Sequence, residues 1–403
     1  PVVKLPDGEA GAPSIAAGPG DELFLIASNN RGSLYFSRAI SEGAGVASSW
    51  SKPTRLVIDH DGEIGAVDMA RDSDGTVYVA YSIPVNQNRG IYLTMSRDEG
   101  TTWSAALQLF DGTKAGFAFV GAPSVLRTEN GSLHVTWKVQ AIQGDGAPQP
   151  LSLYYARSED GGQSFNEAQQ VVEEPVAWRD MMIDGKGNLH LLWQPQDTAT
   201  TIWDQISLDG GQSWEYPHGL PTEGSLVTLT SDSAGRLHLI DVDPDTLGHW
   251  LWDGKGWKAE SPLSLPLSSQ SESAADLIAL TIDKQGKMMV VLAKPTAGGN
   301  VSGRTLTYSM RTLDIPRIQN ENQDVSTKTP SSPTSIPPTS TPEQSSTTAA
   351  TVASEPATPQ LQSNSNVNNG RISPFTIALV PVALLLLGVL GLMIRQVVRA
   401  RDR

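Results

Sequence analysis

The sequence predicts an all-β fold, a six-bladed β-propeller, followed by a disordered Ser/Thr/Pro-rich stalk and one C-terminal transmembrane helix. Three observations lead there. A strand, a glycine-containing turn and a second strand recur six times before residue 318, at intervals of about 53 residues. A second kind of turn, S-x-D-x-G-x-x-W, recurs after the third strand of some repeats. Beyond the repeats, an uncharged run from 374 to 394 is followed at once by Arg395, Arg399, Arg401 and Arg403.

The first strands are expected to begin near Pro13, Ala66, Ala122, Arg179, Leu226 and Leu277. Second strands follow the turns at Leu23–Ile26, Val77–Ala80, Leu133–Thr136, Leu189–Leu192, Leu237–Ile240 and Met288–Val291, all apolar and largely β-forming. Third strands are read at Leu34–Phe36, Ile91–Leu93, Leu153–Tyr155, Ile202–Asp204, Trp250–Trp252 and Leu306–Tyr308. A fourth strand closes each blade except the last, where Asp314-Ile315-Pro316 makes a poor strand. Residues Val2 to Leu5 resemble a fourth strand and are expected to complete that blade. Such closure joins the ends of the ring by ladder hydrogen bonds and leaves few sheet edges open.

The turns Ser96–Trp103, Ser158–Phe165 and Ser207–Trp214 have a chemistry that holds a hairpin shut. Ser and Asp side chains accept from nearby backbone N–H groups, glycine tolerates positive φ, and the last aromatic packs the hairpin onto its neighbour. Degenerate versions are read at Ser37 to Trp50, Trp252 to Trp257 and Ser309 to Asp314.

The domain plan is therefore a propeller over 1–318, a stalk over 319–373, a membrane helix over 374–394 and a basic cytoplasmic tail over 395–403. About 20 apolar residues span a bilayer, and the positive-inside rule puts the arginines in the cytoplasm and the propeller outside. A signal peptide is expected to have been removed, because no apolar leader precedes Pro1. The chain has 43 acidic against 29 basic residues, a formal charge of −14, and no cysteine. That balance excludes nucleic acid as a partner, and stability must come from burial and ring closure rather than disulfides.

His134, His190 and His238 fall at the same place in three successive repeats, but packed sheets lie about 10 Å apart while zinc needs its nitrogens about 2 Å away. No metal and no cofactor are expected. Asp241, Asp243 and Asp245 start like a calcium loop, yet Thr246 and Trp252 stand where a complete loop needs Gly and Glu.

The eight-residue turns resemble the Asp-box, or BNR repeat, of the sialidase-like β-propellers, and the resemblance covers about residues 1 to 317. It implies a six-bladed ring and raises the question of glycoside chemistry. The catalytic residues of the family are not evident. Gly11-Ala12-Pro13 stands where the family has its first arginine, Ser28 and Asn29 stand where it has the catalytic Asp, and Glu223 leads to Ile240 and Asp241 instead of Arg. Tyr308 lies in the blade that carries the family's tyrosine and is the one catalytic candidate that the resemblance implies.

The resemblance also implies which face binds ligands: the one formed by loops entering first strands and loops joining second to third strands. It carries Arg31, Arg89, Lys138, Trp178, Arg179, Asp180, Trp193, Asp241 and Arg304, a mixture of charge and aromatic platform. The expected function is an extracellular binding module for a glycan, envelope polymer or protein ligand, anchored in the cell membrane by its single helix. The alternative is a divergent exo-sialidase or other glycoside hydrolase.

Overall fold

Why the sheets stack as blades is clearest from strands buried on both faces. Strands such as Val77–Ile83 and Leu189–Pro195 are buried along their whole length, as a sheet packed between two others requires; the second brings His190 and Gln194 with Leu192 to one face. The computed structural model describes residues 5, 11, 13–18, 21–29, 32–44, 46–56, 62–141, 152–196, 201–222, 226–242, 246–264, 277–283, 285–295 and 304–315. The predicted closure by residues 2 to 5, the stalk, the membrane segment and the tail lie outside these, apart from Leu5. Among the described residues no helix is long and apolar enough to cross a membrane.

The fold is a six-bladed β-propeller of antiparallel sheets in sequence order. The first sheet holds β1 (Ser14–Ala17), β2 (Glu22–Ser28), β3 (Leu34–Ile40) and β4 (Thr54–Arg55), and the second holds β5 (Val67–Arg71), β6 (Val77–Ile83), β7 (Gly90–Ser96) and β8 (Leu107–Asp111). The third has β9 (Phe119–Arg127), β10 (Leu133–Gln140), β11 (Ser152–Ser158) and β12 (Gln169–Val172), and the fourth β13 (Val176–Ile183), β14 (Leu189–Pro195), β15 (Thr201–Ser207) and β16 (His218–Pro221). The fifth comprises β17 (Leu226–Ser231), β18 (Leu237–Val242), β19 (Thr246–Trp252) and β20 (Trp257–Ser264). The sixth shows β21 (Leu277–Ile282), β22 (Lys287–Pro295) and β23 (Arg304–Thr312) among the described residues. First strands neighbour one another in order, from β1 and β5 through β17 and β21.

The cores lie between sheets. Phe24, Ile26 and Phe36 of the first sheet pack against Val77, Val79 and Tyr81 of the second, and similar clusters join successive sheets from the second through the sixth. The S-x-D-x-G turns join them at the rim. Ser207 Oγ donates to Asp209 Oδ1 at 2.8 Å and accepts from Gly211 N at 2.7 Å, while Ser213 Oγ donates to Asp209 Oδ2 at 2.6 Å. Ser158/Asp160 and Ser96/Asp98 repeat the arrangement. The hydroxyls of Ser213, Ser164 and Thr102 hold the three carboxyls down at about 2. Each closing ring then reaches the preceding sheet: Trp214 meets Tyr155 edge-on at 5.3 Å, and Trp103 meets Phe36 at 5.5 Å.

Two boundaries differ from expectation, for one reason. β9 begins at Phe119 rather than near Ala122, and β13 at Val176 rather than near Arg179, because each strand continues through a β-bulge. In the third sheet Ala122 and Pro123 together oppose Trp137, with Ala122 at φ +50°. In the fourth, Ala177 is the extra residue between the pairs Val176–Pro195 and Trp178–Gln194. In the sixth sheet β23 runs on to Thr312, paired with Lys287, where a degenerate turn from Ser309 was expected. No glycine follows Ser309 to supply the left-handed turn.

Candidate functional site

The two bulges sit at the same end of adjacent first strands, and each releases backbone carbonyls from regular ladder pairing. A cation from the opposite sheet takes them up. Lys138, near the end of β10, donates through Nζ to Val176 O at 2.7 Å and Ala177 O at 2.9 Å, at the bulge of the fourth sheet. Arg179 on β13 donates in return through Nη2 to Ala122 O, at the bulge of the third. These bonds satisfy carbonyls without cancelling charge. Among the described residues neither cation has a carboxylate within ion-pair distance, and Arg179 Nε has no partner.

The electrostatics follow from enclosure. Burial, and then the Arg179 charge, bring the Lys138 ammonium down to about 8. Burial likewise lowers Arg179, opposed by Asp180 and Asp68. The Asp180 carboxyl is pushed up to about 6, chiefly by burial and further by Asp68, against the backbone N–H of Met181 and the charge of Arg179. Met181 N donates to Asp180 Oδ1 at 2.8 Å. Asp180 and Arg179 nevertheless keep part of their surface accessible.

Asp68, on β5, ties the neighbouring first strands together. Its Oδ1 accepts from Ser14 Oγ at 2.9 Å, and its Oδ2 accepts from Ser124 Oγ at 3.0 Å and Val125 N at 2.9 Å. Three sheets thus meet on one carboxylate. Sequence reading missed Asp68, since a single Asp inside a strand gives no spacing signal.

Of the predicted face residues, Lys138, Arg179 and Asp180 come together, and others are engaged elsewhere. Trp178 packs against the core between the fourth and fifth sheets. Trp193 is buried and donates from Nε1 to Glu174 Oε1 at 2.9 Å. Asp241 is buried and accepts from Trp250 Nε1 at 3.1 Å. Arg89 donates to Asn86 O in its own loop and to Phe117 O in the connection between β8 and β9. Tyr308 is 59% exposed on β23 opposite Val291. Arg31 lies outside the described residues, and Arg304 is described only as the strand partner of Pro295.

The positions expected to hold a catalytic acid and arginine are built into the scaffold. Gly11 N donates to Ser28 O at 2.8 Å, Ser28 Oγ donates to Gly65 O at 3.1 Å, and Asn29 Oδ1 accepts from Ser33 N at 3.0 Å. The three aligned histidines are buried between sheets, each with a different partner: Tyr155 Oη for His134, Asp204 for His190, and His249 with Asp232 for His238. Among the described residues no group of three His, Cys, Asp or Glu is placed to hold a metal.

No family model matches the chain. An exo-alpha-sialidase of Aspergillus fumigatus is 28% identical over 214 residues, 49% of this chain and 48% of that protein. The chain spans about half the length of the curated relative it matches. Among solved structures, a protein of unknown function from Dyadobacter fermentans aligns with a TM-score of 0.53 at 14% identity, covering 77% of this chain and 96% of that one. A Hadza microbial sialidase aligns at 0.50 and 15% identity, covering 75% and 66%. At such identities the likeness is one of fold, a sialidase-like β-propeller.

Proposed function

We propose that the propeller is a binding module for acidic glycans, taking a sugar carboxylate between Lys138 and Arg179. The observation that carries this reading is the pair of enclosed cations whose bonds, among the described residues, all go to backbone carbonyls. A carboxylate there would gain charge-assisted hydrogen bonds worth roughly 1.5–3 kcal/mol each, with the guanidinium fork as the directional half. The partial likeness to a protein named exo-alpha-sialidase fits a ligand of that class. Calorimetry on the full chain in detergent, with sialyllactose against lactose, tests it. Binding selective for the acidic sugar, weakened at least ~10-fold by Arg179→Met, is expected, that factor being about 1.4 kcal/mol. Equal affinity for the two sugars, or no effect of the substitution in a folded variant, overturns it.

A second reading, glycoside hydrolysis, draws on the Asp180 carboxyl, which at about 6 keeps its proton in mildly acidic solution, as a general acid must. The nearby Asp68 is engaged by three donors that tie first strands together, which fits a structural role better than that of a paired acid or nucleophile. Turnover of a fluorogenic sialoside that disappears in Asp180→Asn would favour the enzyme; its absence favours binding.

The module is proposed to stand outside the cell on the stalk of residues 319–373 and the helix of 374–394. Support comes from the uncharged run and its arginine tail. Protease added to intact cells should release the propeller, and release only after lysis would reverse the orientation.

A further inference from the structure

We propose a second carbohydrate site, on the outer edge of the ring between the fourth and fifth sheets, that takes a neutral pyranose unit by stacking on Trp257. It does not rest on the acidic-sugar reading. A groove of about 370 Å³ lies there, lined by Asp204, Glu215, His218, Lys255, Gly256 and Trp257 among others. That volume is toward the lower end of the range for small-ligand pockets, roughly 300–1,000 Å³.

The platform is held in place before any ligand arrives. Trp257 Nε1, on the outermost strand of the fifth sheet, donates at 2.7 Å to Asp204 Oδ2 on the third strand of the fourth. The same carboxylate is anchored from within by His190 Nδ1 at 3.0 Å. The indole is half-buried against the core between the sheets and keeps part of its surface accessible. Beside it, a Cβ placed on Gly256 would meet nothing within 4 Å, so the backbone leaves room. A fixed aromatic loses little rotamer freedom when a ring stacks on it.

The rim supplies matching polar groups. Glu215, His218 and Lys255 are exposed, and their side chains have no hydrogen-bond or ion-pair partner among the described residues. A carboxylate accepts from two hydroxyls, an ammonium donates, and a neutral imidazole does either. Glu215 and Lys255 offset one another in charge, which favours a neutral polyhydroxylated ring over an acidic one. The Lys138–Arg179 pair has the opposite preference.

The probes are cellotetraose, maltotetraose and xylotetraose, titrated into the full chain with its indoles labelled with ¹⁵N. At least one should bind with a Kd of about 1 mM or tighter and shift the Trp257 indole resonance, identified from its loss in Trp257→Phe. Glu215→Ala with Lys255→Ala, both on the surface and outside the core, should weaken binding at least ~10-fold, about 1.4 kcal/mol. Arg179→Met should leave it unchanged. Failure of all three sugars to bind, a shift confined to other tryptophans, or an unchanged affinity in the double variant overturns the proposal.

Discussion

His238 Nδ1 lies 3.0 Å from His249 Nε2, with the two buried rings stacked at 18°. The chain of donors around them assigns both tautomers. Arg311 Nη1, which can only donate, stands 3.3 Å from His249 Nδ1, so the His249 proton is on Nε2 and points at His238. His238 then accepts on Nδ1 and donates from Nε2 to Asp232 Oδ2 at 3.1 Å. Both rings are neutral in this relay, which links the fifth and sixth sheets.

Acid should break it. Burial, then the neighbouring His238 and Arg311, bring His249 down to about 3, and burial brings His134 down to about 4. In the unfolded chain each takes up a proton near 6.5. Between that value and the folded ones the unfolded state binds more protons, so stability is full above about 6.5 and falls as the pH drops toward 4 and then 3. Thermal midpoints measured across this range should decline in the wild type and decline less in His249→Gln. A flat profile between 6.5 and 4 would contradict the burial of both rings.

Gly211 and Gly187 share φ +84° but differ in surroundings. A Cβ on Gly187 would meet nothing within 4 Å, whereas one on Gly211 would lie 1.8 Å from Tyr155 Oη of the preceding sheet. That hydroxyl also holds His134 Nδ1 at 2.7 Å. Gly187→Ala should therefore cost only the left-handed backbone term, about 1–2 kcal/mol, and Gly211→Ala about 1–3 kcal/mol more. Urea unfolding of the two variants checks this, and equal losses would mean that the turn does not pack between sheets as described.

Lys138 gives the acidic-glycan reading a pH signature. With the ammonium at about 8 instead of the ordinary 10.5, deprotonation removes one of the two cations in mildly alkaline solution. Above the ionisation of Asp180 at about 6, affinity for a carboxylate-bearing sugar should hold level to about 7.5, fall as the pH rises through about 8, and in Lys138→Met be weak and independent of pH over that upper interval. A decline that begins only near 10 would place the ligand away from Lys138.

Period and punctuation alone determined most of the architecture. Six apolar strand pairs at near-constant intervals, and glycine-bearing turns at Ser96–Trp103, Ser158–Phe165 and Ser207–Trp214, specify hairpins because alternation and left-handed turns are local properties. The tertiary structure decided what the charged residues do. Lys138 and Arg179 are 41 positions apart, 179 − 138, and meet because bulges at Ala122 and Ala177 in adjacent sheets present carbonyls to them. Neither bulge has a signature in the chain: Ala122 adopts a positive φ without being glycine, and Ala177 is one residue too many in an otherwise regular ladder. Trp193, read in the sequence as a platform, is buried, whereas Trp178 and Trp257 both stay half-buried beside the core between the fourth and fifth sheets, and the groove opens on Trp257, which the sequence showed as the end of a degenerate turn. A side chain's fate between two blades depends on which blade lies opposite, and that is settled only when the ring assembles.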